Sequence, residues 1–228
     1  MATYQGDALK TGVKELLKTG LFSDYEIIDE MGNKTFHVHK IILYTHSKFF
    51  QKLLTGGFRE AKSAESSVIL TEDASILQAV INYMYGFPWD DSIRDDLLSS
   101  TVFAVLVYQA ADKYEIPPLT TLAASRFKMA CDPLTDVPAF VDGIRHIDSC
   151  CNPKDRTLWD IALPLIKKNM THLLKFEEFR TLIKENDELN FELLGQMYQE
   201  ASVEKETGVE DESGGRRLGG GRRLPSNF

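Results

Sequence analysis

The stretch Phe36-His37-Val38-His39-Lys40-Ile41-Ile42-Leu43, continuing through Ser47-Lys48-Phe49-Phe50 to Leu53-Leu54, constrains the fold more than any other part of the chain. It opens with strand-like alternation and changes, at His39-Lys40, to apolar residues spaced three and four apart. No turn signal separates the two patterns, so a short strand is expected to feed directly into helix. Phe36 and Val38 share one strand face, while Ile42, Leu43, Phe50, Leu53 and Leu54 line one side of the helical part, and Gly56-Gly57 is its stop.

The flanking segments supply partners for this centre. Lys10 to Leu21 reads as a short amphipathic helix with Val13, Leu16 and Leu17 at helical spacing, Thr11 as its cap and Gly20 as its stop. Asp24 to Glu30 is strand-like, Gly32-Asn33 is a turn, and a two-residue hairpin loop would return the chain into the strand from Lys34 to Val38. Val68-Ile69-Leu70 reads as a short buried strand, and Asp73 as the cap of a helix with the apolar positions Ile76, Leu77, Val80, Ile81, Tyr83 and Met84. Gly86-Phe87-Pro88-Trp89 ends that helix. A strongly apolar helix is expected over Val102–Tyr114 and another over Leu119–Ala130, separated by Ile116-Pro117-Pro118.

Beyond Pro133 the pattern is all helical: about Val137–Ile147, Thr157–Leu174 with Pro164 as a kink, Phe176–Ile183, and a last helix capped by Asp187 and carrying Leu189, Leu193, Leu194, Met197 and Tyr198. From Ser202 on apolar residues nearly vanish, and Gly-Gly-Arg-Arg-Leu occurs at 214–218 and again at 220–224. This low-complexity tail is expected to be disordered. The expected organisation is therefore an N-terminal helix region over 1–20, a main domain over 21–131, a helical extension over 132–201 and a Gly/Arg tail over 202–228.

Composition narrows the function. With 228 residues and 43% apolar content the chain can pack a core. Its formal charge is −8, and because the tail holds five acids and five bases, the body carries the whole excess. Such a body repels phosphate backbones, which argues against nucleic-acid binding by the folded part. No apolar run approaches a membrane span and the N-terminus lacks a basic region followed by an apolar core, so the cytosol or nucleus is the expected compartment. Cys131, Cys150 and Cys151 are odd in number and two are adjacent, which favours reduced thiols over a disulfide framework.

No metal, cofactor or catalytic set is expected. His37 and His39 stand two apart around the end of the strand, and no shared chelate is expected of them. His39 reads instead as a buried or capping residue at the strand-helix junction. His146 and Cys150 are four apart, with Cys151 and Cys131 as further candidate ligands, but no C-x-x-C knuckle accompanies them, so packed or surface thiols are the expectation. Phosphate-cradling glycine motifs and G-x-S-x-G are absent, and Asp90-Asp91 and Asp95-Asp96 have the setting of solvated charge. The four arginines of the tail stand beside acids, which suits a solubilising segment better than an RNA contact.

Set beside its surroundings, the opening stretch resembles a BTB/POZ domain. The matching pieces, in family order over about Leu21 to Ala130, are Phe22-Ser23-Asp24, Phe36-His37-Val38-His39-Lys40 with Leu43, Ser47 and Phe50, and Phe58-Arg59-Glu60. Val68-Ile69-Leu70 with Glu72-Asp73, Tyr83-Met84-Tyr85-Gly86 and Val107-Tyr108-Gln109-Ala110-Ala111-Asp112-Lys113-Tyr114 complete the set. One departure concerns Tyr85: the family commonly has a threonine before the glycine, whereas Gly86 follows directly here, and Phe87-Pro88-Trp89 comes after it. The helical part beyond Pro133 is similar to extensions in the small BTB proteins of fungi.

The resemblance implies an α+β fold, a short sheet flanked by a cluster of helices and followed by an all-helical extension. It also implies a non-enzymatic protein-interaction module. Such domains self-associate through the N-terminal helix and first strand, where Leu16, Leu17 and Leu21 offer an apolar face, and the family's charged dimer groove matches Asp24 and Lys40. A local ion pair is the plainer reading of the last two. Many members are substrate adaptors of cullin-RING ubiquitin ligases, and their cullin-binding signature, a bulky apolar residue, any residue, then glutamate, matches Phe58-Arg59-Glu60. An exposed apolar anchor with a neighbouring carboxylate suits a partner's groove. The expected partners are a second copy, a cullin scaffold and a substrate protein; the alternative is a scaffold of nuclear or signalling complexes without a cullin.

Overall fold

The computed structural model describes residues 3–56, 66–132, 134–151, 154–187 and 189–195, with side chains from Asp7 onward except that of Cys150. Two compact units divide the chain, Met1–Leu182 and Ile183–Phe228. Phe58, Arg59, Glu60, Met197, Tyr198 and the Gly/Arg tail lie outside the described residues.

Helix α1 (Thr3–Thr19) ends where Gly20 takes φ 66°, as a glycine stop requires. It begins before Thr11, whose hydroxyl donates to the Asp7 carbonyl inside the helix at 2.9 Å instead of capping it. Strand β1 (Tyr25–Asp29) is the centre of a three-stranded sheet of order β2-β1-β3. Its neighbour β2 (Thr35–Val38) is antiparallel, with Ile27 opposite Phe36. The hairpin loop is longer than two residues: Asp29 N–H donates to the Lys34 carbonyl at 3.2 Å, enclosing Glu30–Asn33. The buried Asp29 carboxylate fixes this wider loop by accepting from Lys34 N–H at 2.5 Å, a side-chain device that hairpin spacing does not display.

Phe36 and Val38 face the core while Thr35 and His37 face out, as the alternation requires. His39 then joins β2 to helix α2 (Lys40–His46). The expected continuous helix is broken at Ser47, which is extended at φ −136° and starts helix α3 (Lys48–Leu54). Ser47 Oγ accepts from Phe50 N–H at 3.1 Å and donates to the Tyr114 carbonyl at 2.5 Å. A serine competing for backbone partners thus interrupts an apolar pattern that runs on unchanged across it. Strand β3 (Ser67–Leu70) pairs parallel to β1, with Ile28 opposite Ile69. It is not fully buried as expected: Leu70 is inside, but Ile69 is 67% exposed because β3 is an edge strand.

Helix α4 (Ala74–Met84) turns Ile76, Leu77, Val80, Ile81 and Met84 inward. Asp73 stands at its N-cap position without a side-chain cap bond; its backbone carbonyl receives the first helical N–H groups, from Ile76 and Leu77. After a 3₁₀ turn (Asp91–Ile93), α5 (Ser100–Lys113) runs through the interior, burying Val102 to Val105 on one stretch and Val107, Tyr108, Ala110 and Ala111 on the next. Helix α6 (Pro117–Cys131) packs beside it, and Pro117 and Pro118 fill the first turn, where no N–H is missed.

Helices α7 (Val137–Cys150) and α8 (Thr157–Leu173) belong to the same compact unit, with Pro164 inside α8. Gly143 brings α7 against α5: a Cβ there would lie 2.5 Å from Thr101 Cγ2 and 3.5 Å from a Phe127 ring carbon. Asp155, leading into α8, accepts from the Tyr108 hydroxyl of α5 at 2.5 Å and from Thr157 N–H at 3.0 Å. Helix α9 (Glu177–Glu185) follows. In the second unit 189–195 is helical, and its cap is Asn186, not the expected Asp187: Asn186 Oδ1 accepts from Leu189 N–H at 2.8 Å.

Candidate functional site

The sequence points to the corner where α1 gives way to β1. Four residues after α1 make the turn, and each neighbour of Phe22 is tied to the body. Ser23 N–H donates to the Gly20 carbonyl at 3.2 Å and Asp24 N–H to the Val38 carbonyl at 3.2 Å. The Leu21 carbonyl lies 2.8 Å from His39 Nε2.

That last contact belongs to a buried relay. His39 is 6% exposed and Tyr85, from the end of α4, 1%. His39 N–H donates to the Tyr85 hydroxyl oxygen at 2.8 Å, and His39 Nδ1 lies 2.7 Å from the same atom. A carbonyl accepts and cannot donate, so in the neutral ring Nε2 carries the proton toward Leu21, leaving Nδ1 to accept from the Tyr85 O–H. Every polar atom of the pair is then used. Burial raises the Tyr85 hydroxyl from 10.0 to about 12, the His39 N–H pulls the other way, and the charge of Asp24 adds to the rise. His39 sits at the N-cap position of α2 without a side-chain cap bond, so it is the buried residue expected and not a cap.

Asp24 and Lys40 meet through the backbone. Asp24 Oδ1 accepts from Lys40 N–H at 2.8 Å, which gives the first turn of α2 the acceptor and negative charge that His39 does not provide. The Lys40 ammonium lies over the Tyr25 ring, 5.4 Å from its centroid. Leu16 and Leu17 are half-buried, whereas Leu21 is 59% and Phe22 85% exposed. Phe22 also has φ 62°, a left-handed backbone at a bulky non-glycine residue. No periodic pattern could have singled it out.

A second polar group surrounds the end of α5. The Tyr114 hydroxyl donates to Glu72, which also receives Lys113 Nζ at 2.6 Å, and burial together with the Glu72 carboxylate pushes the Tyr114 hydroxyl far up. Glu115 has φ 52° and meets Lys52 Nζ at 2.6 Å. This group faces α3, which ends at Thr55 and Gly56, φ 85°, just before the Phe58-Arg59-Glu60 segment.

The unusual loop after Tyr85 is ordered by its aromatic residues. Gly86 takes φ 77°, Lys14 of α1 lies over the Phe87 ring at 5.3 Å, and Trp89 packs edge-on against Phe103 at 5.5 Å. The indole N–H donates to Asp91 at 3.0 Å, so Trp89 is held by one of the acids around it.

Among the described residues no group of His, Cys, Asp and Glu could hold a metal ion, and no helix is long and apolar enough to cross a membrane. His37 lies on the exposed strand face 3.4 Å from Glu26, away from buried His39. His146 Nδ1 is 2.8 Å from the Asp142 carbonyl, and Cys131 is buried, its thiol pushed up to about 12 chiefly by desolvation.

The chain matches the BTB/POZ domain family over residues 13–128, half of its length. It belongs to that family. The BTB/POZ chain is 33% identical over 124 residues to zebrafish Kelch-like protein 41a, covering 54% of this chain and 19% of that protein. It is 39% identical over 85 residues to a putative BTB/POZ domain and WD-repeat protein of Acanthamoeba polyphaga mimivirus, covering 36% and 18%. Human Kelch repeat and BTB domain-containing protein 8 is 24% identical over 208 residues, 87% of this chain and 31% of that protein. The chain thus spans less than a third of the length of these relatives. Small sheet, helical cluster and family together make it a protein-interaction module of α+β class.

Proposed function

We propose that this BTB/POZ chain self-associates through the corner between α1 and β1 and acts, in the cytosol or nucleus, as a substrate adaptor that brings proteins to a cullin-RING ubiquitin ligase. The observation that carries the reading is the exposed apolar corner on an interaction fold: Leu21 and Phe22 project beside Asp24 and Lys40, while Leu16 and Leu17 are half-buried on α1. Exposed apolar surface at a fixed, polar-rimmed place is what a docking face needs. The cullin part is supported by the Phe58-Arg59-Glu60 segment following α3 and by the Kelch-like relatives.

The test of the adaptor role is a pull-down of the cullin scaffold with the full chain. Wild-type protein should capture it, and Phe58→Ala with Glu60→Ala should weaken capture by roughly tenfold or more, the effect of removing an interface anchor and its charged neighbour. Wild-type protein that captures no cullin at micromolar concentration would overturn the adaptor role and leave the cullin-free scaffold in its place.

A further inference from the structure

The segment after α4 departs from the family pattern, and neither self-association nor cullin binding makes use of it. Gly86 ends the helix at φ 77°, and Phe87 N–H donates to the Asn82 carbonyl at 2.9 Å, which lays the following residues against α5 and α6. The result is a shallow cleft walled by Tyr83, Phe87, Pro88 and Trp89 and lined also by Leu122 of α6. The three rings are half-buried and Pro88 is exposed, so apolar ring surface stays in water. The wall is held in place from below: Trp89 packs edge-on against Phe103, and its N–H is fixed on Asp91. Asp90 lines the same cleft, and both acids are exposed. Lys14 and Arg126 lie over the Phe87 and Trp89 rings, 5.3 and 5.8 Å from their centroids, but neither forms an ion pair with Asp90 or Asp91 among the described residues. Two carboxylates without a cationic partner thus stand beside a preformed aromatic wall.

We propose that this cleft binds a proline-rich segment of a partner protein in the polyproline II conformation, with a basic residue of that segment set against Asp90 and Asp91. A polyproline II helix is already extended and ordered when free, so it loses little entropy on a shallow surface. Its prolyl rings recur at three residues per turn and pack between aromatic side chains such as Tyr83, Phe87 and Trp89. The two unpaired acids are complementary to a lysine or arginine next to the proline run. The proposal goes beyond the adaptor role and does not depend on it.

Fluorescence anisotropy of the full chain with the labelled peptide Arg-Pro-Pro-Leu-Pro-Pro-Leu-Pro tests this. Wild-type protein should bind it saturably. Alanine in place of every proline should weaken binding by roughly tenfold or more, and glutamine in place of arginine by about two- to fivefold, the effect of one exposed charge pair. Trp89→Ala should also weaken binding by roughly tenfold or more. Asp90→Asn keeps an acceptor for Ser92 N–H, so it should reduce the preference for arginine over glutamine and leave the affinity for the glutamine peptide unchanged. Wild-type protein that binds no peptide at millimolar concentration overturns the proposal. So does equal binding of the alanine peptide, which would mark an acidic surface that collects any basic chain, and so does a folded Trp89→Ala chain that binds as tightly as wild type. If Trp89→Ala does not fold, Asp90→Asn and the two altered peptides still decide: an unchanged preference for arginine removes the acids from the site. None of these outcomes bears on cullin capture, so the two readings fail separately.

Discussion

The end of α5 and the corner after α1 each place a non-glycine residue in the left-handed region, and they compensate it differently. At the end of α5, Glu115 N–H donates to the Asp112 carbonyl at 2.9 Å and Ile116 N–H to the Ala111 carbonyl at 2.8 Å, so the strained residue completes the satisfaction of the helix end. Its carboxylate then meets Lys52 of α3. Strain at Glu115 is offset within the chain. At Phe22 the backbone is held as firmly, but its ring is left in solvent. The same local conformation thus serves closure in one region and presentation in the other. Substitutions near α5 should therefore register as stability, and substitutions at the corner as association.

The largest expected effect tests the α5 side. Gly143→Ala puts a methyl group 2.5 Å from Thr101 Cγ2, at a seam with no flexible chain end to yield. Overpacking of this kind costs about 1–3 kcal/mol, partly offset by roughly 1 kcal/mol of better helix propensity. Net destabilisation of up to about 2 kcal/mol in urea unfolding, recovered when Thr101→Ser removes the clashing methyl, is the expected result. Association should follow the wild type once the variant is folded. A seam that absorbs alanine without loss would mean that α7 is not held tightly to α5.

Ser47→Ala comes next. It leaves Phe50 N–H and the Tyr114 carbonyl without their bonds in a place 1% exposed, and loss of a cap with a buried bond costs about 1–1.5 kcal/mol. The urea midpoint should fall accordingly, with no separate change in the dissociation constant. An association defect larger than the stability loss would blur the division between the two regions.

Glu115→Gly has the smallest expected effect and the opposite sign. Glycine relieves about 1 kcal/mol of left-handed strain, while the half-exposed pair with Lys52 contributes only about 0–1 kcal/mol. A gain of about 0.5 kcal/mol in thermal or urea unfolding is expected. A clear loss instead would show that the Lys52 contact does more than offset strain.

The parts of the fold set by side-chain alternation and by glycine were legible in the sequence. Phe36 and Val38 face inward, Gly20 stops α1, and α4 to α8 follow apolar spacing at 3.6 residues per turn. Legibility ended where a polar side chain competed with the backbone. Ser47 divides a helix whose apolar periodicity is continuous, Asp29 widens a hairpin that Gly32-Asn33 alone would have kept short, and Asn186 caps in place of Asp187. Edge position was equally hidden, because Val68-Ile69-Leu70 reads the same whether one face or both are covered. At the site, the resemblance brought out Asp24 and Lys40. Their contact through a backbone N–H joins residues 16 positions apart along the chain, and the hold of Tyr85 and His39 on Leu21 joins residues 46 and 18 apart.

The strand order has a consequence for the chain's birth. β1 lies between β2, its immediate successor, and β3, whose Ser67 pairs with Glu26 across roughly forty residues of intervening chain, a long loop to close. On a ribosome adding about 5–20 residues per second, the hairpin is complete roughly 1.5 to 6 seconds before its parallel neighbour is made. During that interval one edge of β1 faces outward with its backbone groups unpaired. In a polysome, where nascent copies are crowded together, the same edge is open to the strand of a neighbouring chain.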